Sequence, residues 1–556
     1  MRELLAQAGA SEINRFDSEG RTPLMYAVSS ADVETVRLLL AAGASVHQES
    51  RKSYESGNPV LALAVRAGDP EVVAALIEAG APVQYERDTY DVLIDALFGR
   101  DVYRDARLIE LLGLLVAHGA CMDTVTSYDE SVLRVLSRKG RFDAIQFLLE
   151  AGADESLLSW TPLIKAVALG TVADVEHEIA QGAELEGRDY WERTAWLVAI
   201  QCGDLEKARL LLEKGADRNA VGRCSQPSLF YTLPGHQVAM LRWLLSLGID
   251  IEQTDEFGET PLMAAAEGSR VDVVELLLAH GATVDRRRSH DQTALSNCGR
   301  ADIARVLLAA GADPRELNFS ATRALLNLQP QSNEPLRNVT AEEFKAGHGR
   351  RFGTSNPEEI HEPFWHAMIR SGLNAYQGAD RCSTLQVDIL RPVWCAERYG
   401  QSLTTLPDGR NIQIGGEHED HYDEDFCIYN DVFVHEPDGT IRIFGYPESV
   451  FPCTDFHTAT LIGNEIWIIG ALSYPDKRQF GTTPVFVLNT DTFQMRKVAT
   501  RGEPPGWINR HRAILLVNEI RVSGGFISFR QGDEEKYEGH ENAFVLDTRA
   551  LVWRRD

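Results

Sequence analysis

Hydrophobic positions in the first half of the chain fall in short leucine-rich runs: Leu38-Leu39-Leu40, Leu210-Leu211-Leu212 and Leu276-Leu277-Leu278. Each run is closed by Gly-Ala. Glycines at the same point recur at Gly9, Gly43, Gly80, Gly119, Gly152, Gly182, Gly215, Gly248, Gly281 and Gly311. That period, near 33 residues, marks a stacked helical array. Most units open with a Thr-Pro-Leu-like triplet, as at Thr22-Pro23-Leu24, Thr161-Pro162-Leu163 and Thr260-Pro261-Leu262. The threonine predicts a helix cap and the proline a first helical turn, where its missing N–H costs nothing. The closing glycine predicts a left-handed end to the second helix. No unit can bury its apolar face alone, so stability must come from stacking.

This pattern resembles the ankyrin repeat over residues 1 to about 315, with nine near-complete units after a leading half-unit. Three units depart from it. The third opens Tyr90-Asp91-Val92-Leu93 and carries an insertion around Asp101–Arg107. The seventh reads Pro227-Ser228-Leu229 and ends Gly248-Ile249, and the ninth is short around Asn297–Asp302.

From about Gln329 the leucine pattern stops. Prolines and glycines between Pro330 and Pro357 predict a linker, and Glu362–Tyr376 a short amphipathic helix. Beyond it the alternation is strand-like, with turns at Pro407-Asp408-Gly409, Pro437-Asp438-Gly439 and Gly463-Asn464. Three self-similar stretches end a strand pair in Gly415-Gly416, Gly470-Ala471 and Gly524-Gly525. Their spacing is near the roughly 50-residue kelch period, and they resemble kelch repeats. The resemblance implies propeller blades at about 398–446, 455–499 and 509–556, three where a ring takes about four to eight. That leaves an open stack, a degenerate fourth blade or pairing with a second copy. The expected fold class is therefore multidomain α and β. An ankyrin solenoid at 1–328 and a linker at 329–360 lead into an all-β kelch-like partial propeller at 361–556. Residues 330–397, with a strand at Leu385–Trp394 and the bulk of Phe364-Trp365, are expected to cover the open edge. That favours a monomer over a homodimer made through the kelch-like half.

Composition narrows the function. The 8 cysteines among 556 residues include no Cys-x-x-Cys pair, which disfavours zinc fingers and disulfide scaffolds and fits a reducing compartment. Met1-Arg2-Glu3-Leu4-Leu5 is not the start of a secretory signal, and the longest uncharged apolar stretch, Leu111–Met122, is too short to span a bilayer. The expectation is a cytoplasmic protein with no membrane contact. A net charge of −27, spread over both halves, argues against nucleic acid and for a partner with a basic surface.

The turns that join ankyrin units project as fingers, and the resemblance implies partner binding through these tips and the concave inner helices. The candidate contacts are Asp189, Tyr190, Trp191, Asp255, Glu256 and Phe257, with Tyr54, Tyr85 and Tyr128 in other fingers. Aromatic anchors in an acidic rim suit a basic protein surface, and both Tyr190 and Trp191 are expected to be exposed. Elsewhere, His418, His421, Asp423 and Asp425 in the loop Glu417–Asp425 are weak metal-ligand candidates. The bland reading, a solvated blade loop, is preferred there because a flexible run lacks fixed ligand geometry. His457 and His511 open successive blades, where a structural role is favoured over a catalytic one. No phosphate-cradling glycine loop, nucleophile elbow or His-Glu-x-x-His stretch is present. The expected function is a non-enzymatic scaffold or adaptor without cofactors. The alternatives are an inhibitor or immunity-type protein capping a basic toxin or nuclease, and an enzyme with a metal or acidic centre in the kelch-like half.

Overall fold

The computed structural model describes residues 10–52, 56–85, 90–99, 106–235, 237–268, 271–382, 392–418, 426–532 and 534–556. They group into two compact units, one mainly of residues up to Asp291, the other of Gln292–Asp556 with 266–268 and 284–286.

The first unit is built from helix pairs. Its first helices are Pro23–Ser29, Val60–Ala67, Val92–Ala96, Val132–Lys139, Pro162–Leu169 and Ala195–Cys202. The matching second helices are Val33–Ala41, Pro70–Glu78, Leu108–Ala117, Phe142–Glu150, Val172–Ala180 and Leu205–Glu213. Local chemistry sets these boundaries. Thr22, Thr161 and Thr194 accept from the N–H three residues on, while Asp32, Asp69 and Asp204 cap second helices in the same way. The closing glycines from Gly43 to Gly311 all lie in the left-handed region. Between Pro227 and Pro234 the seventh unit has too little chain for an α-helix, and forms only the 3-10 turn Ser228–Thr232 before Val238–Ser246. The insertion of the third unit lies largely outside the described residues.

The second unit begins with the shortened ninth repeat, reduced to Ala301–Ala309, and a further helix, Phe319–Leu325. The stretch expected to link the halves holds a helix, Ala341–Gly347, and a strand, Glu358–Ile360. The expected helix at Glu362–Tyr376 forms as Pro363–Ser371, followed by Ala375–Cys382.

Three antiparallel meanders of four strands follow. The first comprises Ser402–Thr405, Asn411–Ile414, Val432–His435 and Ile441–Gly445, with Glu358–Ile360 added beside the last. The second comprises Thr458–Ile462, Glu465–Ile469, Val485–Asn489 and Met495–Lys497. The third comprises Arg512–Leu516, Glu519–Ser523, Ala543–Asp547 and Val552–Arg555, with Arg501–Gly502 paired in parallel at its far edge. Among the described residues no fourth such sheet is present and no ring closes.

The sheets stack face to face. Ile412, Ile414, Val432 and Val434 pack on Ile466, Ile468, Phe486 and Leu488. Trp467, Ile469, Val485 and Val487 pack in turn on Ile520, Val522, Phe544 and Trp553. The other face of the first sheet is sealed by helices: Phe344, Phe364 and Trp365 cover Phe433 and Ile443. Trp365 and Trp394 stack there with centroids 4.4 Å apart and planes within 4°. Of the expected strand Leu385–Trp394, residues 392–394 are described, and Val393 bridges Gly349.

The last helical residues are tied to this β region. Arg323, on Phe319–Leu325, is buried and donates to the carbonyls of Gln329 at 2.8 Å, Ile369 at 3.1 Å and Arg370 at 2.6 Å. Asn411 donates to the carbonyl of Leu325 at 3.4 Å.

Candidate protein-binding surface

The fingers at Asp17, Thr126, Asp189 and Asp255 are tight hairpins, each braced by one side-chain oxygen. Asp17 Oδ1 accepts from the N–H groups of Glu19 and Arg21, each at 3.0 Å. Asp189 Oδ1 does the same with Trp191 and Arg193, and Asp255 Oδ1 with Phe257 and Glu259, all at 2.9 Å. In the finger around Tyr128 the hydroxyl of Thr126 takes this place. Other finger acids reach to the next finger: Asp123 accepts from Asp154 N–H, Glu186 from Asp217 N–H and Glu252 from Thr283 N–H. These oxygens are spent holding the fingers in shape and in register. Braced in this way Asp17, Asp123 and Glu186 remain exposed at the rim, whereas Asp189 is buried.

Asp189 is further engaged. Its second oxygen takes the guanidinium of Arg193 at 2.5 Å, and both side chains are only 1% exposed. Arg193 also donates to the carbonyl of Ser137 at 2.8 Å, and to the Ser137 hydroxyl and Gln201. The finger 188–193 thereby reaches back to the helix Val132–Lys139, two repeats earlier.

Tyr190 and Trp191 follow the same path, and are half-buried where exposure was expected. Tyr190 donates its hydroxyl to the Asp129 carbonyl at 2.9 Å, and Trp191 Nε1 donates to the Arg134 carbonyl at 2.8 Å. The two rings meet edge to face at 5.1 Å. Arginines lie over them. Arg134 is 3.9 Å and Arg223 4.7 Å from the Tyr190 centroid, and Arg138 and Arg223 are each 4.9 Å from that of Trp191. The Arg134 guanidinium, with the Tyr190 hydroxyl, holds the Asp129 carboxyl below its ordinary range.

The rings that stand out are at other tips. Tyr128 is 65% exposed and Phe257 is 58% exposed, each on a braced hairpin. Glu256 beside Phe257 is exposed, and its hydrogen bond to the Cys224 thiol raises that thiol's pKa. Tyr85 turns inward and donates at 2.7 Å to the fully buried Asp95, which Arg66 also contacts at 2.5 Å. Tyr54 lies outside the described residues.

In the β region, His418 is buried, with its Nδ1 2.7 Å from the Tyr429 hydroxyl. His421, Asp423 and Asp425 lie outside the described residues. Among the described residues no group of three or more His, Cys, Asp or Glu is placed to hold a metal ion. His457 and His511 are buried and bridge neighbouring sheets. His457 Nε2 lies 2.8 Å from the Ser402 hydroxyl, and His511 Nε2 lies 2.9 Å from that of Thr458. Burial pushes both rings down to about 3. These neutral histidines hold sheet to sheet, in line with a structural role.

The cations that frame the surface, Arg134, Arg138, Lys139 and Arg223, were missed in reading the chain for chemistry. The spacing of Arg134 and Arg138 on one helix was the available signal, since residues four apart share a face. Among the described residues no helix is long and apolar enough to cross a membrane.

Comparison with known proteins bears on this surface. Ankyrin-repeat family models match residues 19–51 and 191–223 singly, and residues 231–318 as three copies. Ankyrin repeat domain-containing protein 37 of Bos taurus is 32% identical over 116 residues, which are 20% of this chain and 73% of that protein. Putative ankyrin repeat protein YahD of Escherichia coli is 27% identical over 188 residues, 32% of this chain and 94% of its own length. A transient receptor potential cation channel subfamily A member 1 homolog of Caenorhabditis elegans is 27% identical over 176 residues. That match covers 31% of this chain and 14% of the channel homolog, so the chain spans a small part of it. The chain belongs to the ankyrin-repeat family.

Proposed function

We propose that the protein is a non-enzymatic scaffold that binds a protein partner through the fingers and first-helix row of its ankyrin repeats. The observation that carries this reading is the pair of large rings, Tyr128 and Phe257, held out at 65% and 58% exposure on hairpins braced by Thr126 and Asp255. A ring fixed before binding loses little freedom on contact, which is what an anchor residue needs. Tyr190 and Trp191 belong to the same surface as its half-buried floor.

The β region is read here as a kelch-like, propeller-type module. Three four-stranded meanders ending their second strands at Gly415-Gly416, Gly470-Ala471 and Gly524-Gly525 support this. It offers a second contact surface, within a cytoplasmic monomer. An inhibitor of a basic toxin would use the same fingers. It would need free carboxylates at the tips, and the bracing of Asp17, Asp189 and Asp255 weighs against it.

Photo-crosslinking tests the location. A benzophenone side chain replacing Tyr128 or Phe257 in the full chain, irradiated in cells of the source organism, should yield a discrete heavier species. The same group replacing Glu110 or Glu176 on second helices should yield none. Equal capture from all four positions, or capture from the second helices alone, would overturn the assignment.

A further inference from the structure

The net charge of −27 conceals a segregation of charge inside the helical repeats. The second helices expose carboxylates at Glu71, Glu78, Glu110, Glu150 and Glu176. The first helices between Val60 and Cys202 instead carry Arg66, Arg134, Arg138, Lys139 and Lys165. Their single carboxylate, Asp95, is fully buried beneath Arg66.

First helices pack side by side from Val60–Ala67 through Val92–Ala96 to Val132–Lys139, and again from Pro162–Leu169 to Ala195–Cys202, where Gln201 reaches back to the Arg138 carbonyl. Second helices pack from Pro70–Glu78 through Leu108–Ala117 to Phe142–Glu150, which sets cations on one row against carboxylates on the other. The basic row also holds apolar surface. Lys139 Nζ lies 5.7 Å from the ring centroid of Phe98, which is 42% exposed, and Arg138 leans on Trp191. Of the carboxylates that reach the row, Asp95 is buried on Arg66 and Asp129 holds the mostly buried Arg134 at 2.6 Å. Glu155 on Lys165 at 2.6 Å and Glu130 on Arg138 at 2.8 Å leave their cation half-exposed. Such half-exposed pairs are weak in water, so an incoming carboxylate can exchange with them at little cost.

We propose that this row takes an acidic segment of a protein partner, in which Asp or Glu alternates with apolar or aromatic residues. The inference rests on the scaffold reading above and deepens it, giving the partner the charge opposite to the one the net charge implies. A protein segment fits better than nucleic acid. The row's own cations run only from Arg66 to Lys165, whereas a long phosphate chain would run on into the acidic field of the whole molecule.

Fluorescence anisotropy on the full chain tests this with three labelled probes: an (Glu-Leu-Asp-Phe)4 peptide, its counterpart with Lys for each acid, and a single-stranded dT oligonucleotide. The acidic peptide should bind best and weaken as sodium chloride is raised. Lys139→Glu/Lys165→Glu should weaken it by about fivefold or more, as expected when exposed charge contacts turn repulsive. The second-helix control Glu110→Lys/Glu176→Lys should leave it unchanged to within about twofold. Circular dichroism melts confirm that both variants fold, and Lys139→Gln/Lys165→Gln supplies a milder change should the reversal unfold the array. Tighter binding of the lysine peptide or the oligonucleotide overturns the proposal, as does absence of acidic-peptide binding or equal loss in the control. A partner crosslinked at Tyr128 or Phe257 that still binds the Lys139→Glu/Lys165→Glu variant at full strength would leave the scaffold reading standing and sink this one.

Discussion

At the scale of single residues, the fingertip acids show how one sequence feature can serve two purposes. Asp189 reads as a surface acid from its neighbours, yet both of its oxygens are engaged and its side chain is 1% exposed. What hides this from sequence is distance: Arg193 is four residues away, but its other partners are at Ser137 and Gln201. Breaking a buried pair on one side leaves an uncompensated charge, at about 3 kcal/mol or more. Asp189→Ala should therefore lower the urea stability of the helical repeats by that amount. Asp189→Leu/Arg193→Met, which removes both charges, should cost clearly less. An Asp189→Ala protein that unfolds at the wild-type urea concentration would show that the pair contributes nothing.

Among the elements, legibility followed the range of the interactions. Thr-Pro-Leu openings, Gly-Ala closures and the alternation of the meanders are local, and the helices and strands they imply form where expected. The seventh repeat weakens for a local reason too, the two prolines that bracket Ser228–Thr232. By contrast, the strand Glu358–Ile360 inside an apparent linker owes its existence to Ile441–Gly445, some eighty residues on, and no local pattern marks it.

The sheet-to-sheet histidines give an element-scale prediction. An unfolded ring titrates near 6.5 and the buried rings of His457 and His511 near 3. Between those values the unfolded state binds more protons. The stability their neutral forms contribute is complete above 6.5 and is lost as pH falls from there toward 3, by up to about 1.4 kcal/mol per pH unit for each ring. The melting temperature of the strand signal should fall from pH 7 to pH 4, and His457→Gln/His511→Gln should flatten that fall. An identical slope in wild type and variant would contradict the account.

For the molecule as a whole, the division into units departs from the division of the sequence pattern. The helical signal ends near Leu328, but the compact β-containing unit starts near Gln292. The reason is physical. The ninth repeat lacks a regular first helix, Arg323 donates to carbonyls of the helix Pro363–Ser371, and the Leu325 carbonyl accepts from Asn411 of the first sheet. A repeat array needs something to cover its last apolar face.

Charge also reads differently at this scale. The total of −27 is set mainly by second helices, finger braces and the β half, and says little about the row that carries the cations. The central claim is that exposed rings on braced fingers anchor a protein partner. Its most direct measurement is the affinity of a crosslink-identified partner for the full-length Tyr128→Ala/Phe257→Ala protein. Binding should weaken by about 2 kcal/mol or more, roughly thirtyfold in Kd, with the urea midpoint unchanged. Undiminished affinity in a normally folded variant would contradict it.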